Sequence, residues 1–114
     1  MKLKTLFFGL LAGTLAAGVF AAEPGIASLH GEKGVGCEAC HGPDKANPAE
    51  PTTATCTGCH EVKALVAKTA GVKPNNPHTS PHYQDQLDCT NCHRGHEESE
   101  NFCNQCHNFD FKVK

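Results

Sequence analysis

Apolar side chains are spread along this chain in two very different ways. Residues 6–20 form an unbroken run of apolar and small residues behind the basic start Met1-Lys2-Leu3-Lys4. Nine Leu, Ile, Val and Phe fall before residue 22, and only 12 follow in the remaining 93 positions. The best helical pattern there covers residues 56–70, where Val62, Leu65, Val66 and Thr69 share a face at helical spacing. Gly71 is a natural stop for it. Turn-rich stretches at 42–51 and 71–81 interrupt the chain, and no segment alternates convincingly with the period of a strand. The pattern predicts a small, mainly α or irregular fold of short helices and loops with little or no β structure. Asp88 is the expected N-cap of one short helical turn.

The first segment reads as a secretory signal. Val19-Phe20-Ala21 offers small residues at the two positions a signal peptidase inspects, and polar Glu23-Pro24 follows. The expected organisation is a cleaved signal at 1–21 and a single domain at 22–114. An uncleaved anchor is the alternative, but residues 6–22 are at the short limit for crossing a bilayer, and Gly9, Gly13 and Gly18 weaken the run. The predicted compartment is the periplasm or an equivalent exported space, with no stable membrane insertion after cleavage.

Composition sharpens the problem. A soluble chain with less than about 20% Leu, Ile, Val and Phe is usually disordered, so the mature portion cannot form an ordinary core. Loss of Lys2 and Lys4 takes the formal charge from -2 to -4, which argues against nucleic acid as a partner. What the chain does have is eight cysteines and eight histidines.

The cysteines fall into four pairs of one spacing, each followed at once by histidine. These are Cys37-Glu38-Ala39-Cys40-His41, Cys56-Thr57-Gly58-Cys59-His60, Cys89-Thr90-Asn91-Cys92-His93 and Cys103-Asn104-Gln105-Cys106-His107. C-x-x-C-H is the attachment signature of c-type haem. Two thiols on one helical turn reach the two vinyl groups on a porphyrin edge, and the adjacent histidine fills the proximal site of the iron. Four disulfides, or all-cysteine zinc sites, would leave the four adjacent histidines unexplained. Chance alone would place them so about 2 times in 100,000. A thioredoxin-like pair is normally single and set in a strand–helix context. The sequence therefore predicts four covalently bound c-type haems, with the short helices and loops wrapped around them.

His41, His60, His93 and His107 belong to the motifs, and His30, His78, His82 and His96 remain. The surplus equals the number of irons. The only methionine is Met1, so signal cleavage removes His/Met coordination from consideration. Four bis-histidine haems with every axial position filled are the simplest solution. Such irons have lower potentials than His/Met irons and leave no open position for a substrate. The chain reads as an electron carrier and not as an enzyme.

These motifs resemble the small periplasmic tetrahaem cytochromes c of metal- and fumarate-respiring bacteria. They are also similar to the cytochrome domain of flavocytochrome c fumarate reductases. The resemblance spans residues 30–107: one histidine before the first motif, a histidine pair between motifs two and three, and C-x-x-C-H-x-x-H at the third. One departure is that three residues, Thr79-Ser80-Pro81, separate His78 from His82 where the family is expected to have two. The resemblance implies His30 distal to the haem on His41, His78 to that on His60, His82 to that on His93, and His96 to that on His107. It also implies a monomeric shuttle between a quinol-oxidising cytochrome at the inner membrane and periplasmic or outer-membrane reductases. An electron-input subunit of a reductase complex, or a small multihaem reductase with one open iron, is the alternative. Four ferric haems with ionised propionates would bring the charge to about -8, so docking on basic surfaces is expected.

Overall fold

The computed structural model describes residues 25–114, so the expected signal segment lies outside the described residues. Four short helices come first: α1 at Ile26–Gly31, α2 at Glu38–His41, α3 at Thr53–Thr57 and α4 at Val62–Lys68. Two 3₁₀ turns follow, at Cys89–Asn91 and Phe102–Gln105. Among the described residues there is no strand, only an isolated bridge between Ser80 and Gln84. That bridge closes a tight turn with His82 at its tip, through main-chain bonds of 3.0 and 2.8 Å.

α1 starts without a side-chain cap. The main-chain N–H groups of Ile26 and Ala27 donate instead to the carbonyls of Arg94 and Gly95, both at 2.8 Å. The contact needs glycine at the N-cap: Gly25 has φ +108°, and a Cβ there would lie 2.4–2.7 Å from the carbonyl oxygens of Glu97, Gly95 and Arg94. The first helix is thereby docked on the loop that follows the third motif.

The helix expected over residues 56–70 is two helices. The second motif closes its own turn with Cys59 N–H and His60 N–H both donating to Cys56 C=O, at 3.1 and 2.9 Å. Glu61 is then extended (φ -85°, ψ 121°) and starts α4 as its N-cap. α4 itself follows the sequence pattern: Val62, Leu65, Val66 and Thr69 are half-buried, while Lys63, Ala64, Ala67 and Lys68 are exposed. It stops at Lys68, ahead of Gly71, and the Thr69 hydroxyl turns back toward Leu65 C=O at 2.7 Å.

Asp88 stands at the N-cap of the third-motif turn, as expected, but makes no cap bond of its own. Cys89 N–H donates to Thr53 Oγ1 (3.3 Å), and Thr53 O–H donates to the Asp88 carboxylate (2.7 Å). This relay ties α3 to the third motif. None of the described residues is fully buried. No helix among them is long and apolar enough to cross a membrane.

Candidate haem-iron sites

Each of the four motifs folds into the same turn. The histidine N–H donates to the carbonyl of the first cysteine at 2.9 Å in all four, and the second cysteine N–H does so at 3.1–3.3 Å. The local sequence sets this geometry, which puts both thiols and the imidazole on one turn. All eight thiols are free. Among the described residues no three His, Cys, Asp or Glu side chains converge as a metal-ion site such as zinc would require.

The eight imidazoles sort into four pairs, each with one motif histidine and one non-motif histidine. His41 faces His96 with ring centroids 5.9 Å apart and planes 12° from parallel. His60 faces His30 at 5.9 Å with perpendicular planes. His93 faces His78 at 6.3 Å and 6°. His107 faces His82 at 6.0 Å and 25°. Two metal–imidazole bonds of about 2.0–2.1 Å, each extended by about 1.1 Å from nitrogen to ring centre, put the centroids of a bound pair roughly 6.2 Å apart. The observed separations fit an iron held between each pair.

The pairing differs at every site from the one the family resemblance implied. His30 meets His60 and not His41; His96 meets His41 and not His107. His78 and His82 face the histidines of the third and fourth motifs, not those of the second and third. α1, which carries His30, and the 94–97 loop, which carries His96, dock on each other, so a long-range contact and not order along the chain places these two histidines.

Several rings are held by their second nitrogen. His30 Nδ1 is 2.8 Å from Ile26 C=O one turn back. His41 Nδ1 is 2.8 Å from Ala49 C=O, and Ala49 N–H returns a bond to His41 C=O. The turn-rich 42–51 stretch makes this possible: the Asp44 carboxylate accepts from the main-chain N–H of Ala46 and Asn47 and from the Asn47 amide. Those bonds, the Asn47 amide foremost, hold the Asp44 carboxyl below its ordinary value. His93 Nδ1 lies 2.9 Å from the Lys114 main-chain oxygen and His78 Nδ1 2.9 Å from Thr69 Oγ1. Burial, with His93 nearby, lowers the pKa of His78 and so favours the neutral imidazole that a metal requires. An Nδ1–H that donates to oxygen leaves Nε2 as the ligating atom.

Neighbouring motifs also lie near one another. Burial pushes the Cys56 thiol up, and the adjacent thiols of Cys89 and Cys40 add to the rise. Cys92 is raised mainly by burial, with a smaller contribution from Cys103. The motifs thus adjoin in chain order, first to second to third to fourth. Sequence reasoning singled out the eight histidines that the structure brings together in pairs, and the eight cysteines of the motif turns, but missed the oxygens beside the imidazole rings. It also missed an aromatic group at the fourth motif, where Phe109 lies parallel to His107 at 4.7 Å.

The family model described as cytochrome c3 matches residues 29–108. A probable fumarate reductase Ifc3 of Shewanella frigidimarina is 36% identical over 98% of this chain, although the chain spans only 19% of that protein's length. An acrylate reductase cytochrome subunit of Shewanella woodyi is 34% identical, over 97% of this chain and 96% of the subunit. No solved structure matches. The chain belongs to the cytochrome c3 family, whose members carry c-type haem and transfer electrons.

Proposed function

We propose that this chain binds four c-type haems and acts as a low-potential electron carrier in the periplasm. The observation that supports it best is the matching of four motif histidines with four others, one to one, at iron-spanning separations. In this reading Cys37/Cys40, Cys56/Cys59, Cys89/Cys92 and Cys103/Cys106 form the thioether links. His41, His60, His93 and His107 are the proximal ligands, with His96, His30, His78 and His82 respectively as the distal ones.

A bound haem supplies a one-electron Fe(III)/Fe(II) couple. The protein supplies the rest. It orients His30, His41, His78 and His93 through Nδ1, and its paired histidines would hold each iron and leave no position for a small substrate. The succession of adjoining motifs provides a route between sites. The chain moves electrons and makes no bonds. The cationic faces of an inner-membrane quinol-oxidising cytochrome and of terminal reductases are the proposed partners.

The test is the spectrum of the holoprotein together with its intact mass. Four haems, all low-spin and inert to carbon monoxide in the native reduced form, are expected. A high-spin fraction or carbon monoxide binding would instead support a small reductase with one open iron. The match to a whole reductase cytochrome subunit favours a second reading, in which this chain delivers electrons to one separate catalytic subunit for an unsaturated carboxylate. Size exclusion of a native periplasmic extract separates the two: a free carrier elutes at its own mass and a subunit with its partner.

A further inference from the structure

The four pairs differ in what surrounds them. At the His78/His93 pair both rings have an oxygen at Nδ1, the Thr69 hydroxyl at 2.9 Å and the Lys114 main-chain oxygen at 2.9 Å. Donation from Nδ1–H makes an imidazole a stronger electron donor, which favours the oxidised metal. At the His82/His107 pair the ring contacts among the described residues are aromatic instead. Phe109 is stacked on His107 at 4.7 Å and 9°, and Phe111 lies 6.0 Å beyond it. On the other side Tyr83 is next to His82 and packs edge-on against Phe102 at 6.0 Å. These rings, with Leu87, line a cavity of about 430 Å³ that also contains Cys103 and Cys106.

Reduction of a bis-imidazole haem adds one electron and no proton, Fe(III) + e⁻ → Fe(II). It cancels the single positive charge on the iron–porphyrin unit. Apolar walls penalise that charge and so favour the reduced form. Both differences therefore act in the same direction. We propose that the His82/His107 site has the highest reduction potential of the four, well above that of the His78/His93 site, with Phe109 the positioning residue that sets it. Electrons then collect at the fourth motif, beside Tyr83, whose surface is 45% exposed. The proposal rests on the tetrahaem reading above.

The experiment is a redox titration of the holoprotein with a chemical reductant, followed haem by haem through the paramagnetically shifted methyl resonances. The haem on Cys103 and Cys106 should be reduced first, and well before the haem on Cys89 and Cys92. In Phe109→Ala, the Fe(II)/Fe(III) ratio at the fourth site should fall about threefold to tenfold at fixed potential, tenfold being 59 mV for one electron. The other three should stay in place. In Thr69→Val, the third site should shift the opposite way. If Phe109→Ala fails to assemble, Phe109→Leu removes the stacked ring while keeping an apolar filler and should give the same sign. Four low-spin haems with a different order of reduction overturn this proposal and leave the carrier reading intact. Fewer than four haems, or a high-spin one, overturn both.

Discussion

Thr69 has one hydroxyl proton and three neighbours close to its oxygen: Leu65 C=O at 2.7 Å, the Asn76 amide oxygen at 2.7 Å and His78 Nδ1 at 2.9 Å. Only one of the first two can receive that proton. With that proton on either oxygen, His78 donates from Nδ1 to Thr69, which leaves Nε2 as the nitrogen available to ligate. Asn76 completes the arrangement, since its NH₂ donates to Val66 C=O at 2.8 Å and its oxygen accepts His78 N–H at 3.0 Å. Asn76→Ala leaves those half-buried groups without partners and should cost about 1–3 kcal/mol. The expected outcome is a lower melting temperature of the holoprotein together with carbon monoxide binding at one haem. Unchanged melting and an inert spectrum would show that His78 needs no such support. The surplus of histidines was visible in the sequence at this scale. The role of Asn76 was not, because an asparagine in a turn-rich stretch has many equally ordinary explanations.

At the scale of the element, the motif turns were legible because their hydrogen bonds close within four residues. The helix over 56–70 was legible only in part. Its apolar face was right, but periodicity alone does not register the break that a Cys-x-x-Cys-His turn imposes at Glu61. The histidine pairing was least legible. A ligand order assigned along the chain assumes that neighbours in sequence are partners, and the docking of α1 on the 94–97 loop defeats this. That docking has its own test. Gly25→Ala places a methyl against three carbonyls at a positive φ, an overpacking of about 1–3 kcal/mol. α1 should then lift away and withdraw His30 from His60. The haem on Cys56 and Cys59 alone should gain carbon monoxide binding, and the other three should remain low-spin. Loss at the first motif instead would restore the pairing expected from the resemblance.

At the scale of the whole molecule, the scarcity of apolar side chains reappears as the lack of any fully buried residue among those described. In the tetrahaem reading the protein part is a wrapper, with porphyrin in place of the missing apolar core. Expression without the haem-attachment machinery should leave an expanded chain that is rapidly proteolysed. A compact apoprotein with a cooperative melt would contradict this account. The histidine pairs also have a topology. His30/His60 lies wholly before the 71–77 stretch, while His78/His93 and His82/His107 lie wholly after it. Only His41/His96 spans the two halves. The first motif is therefore a clasp: a single cut in that stretch leaves three pairs each within one fragment and divides only the one that buckles the halves together.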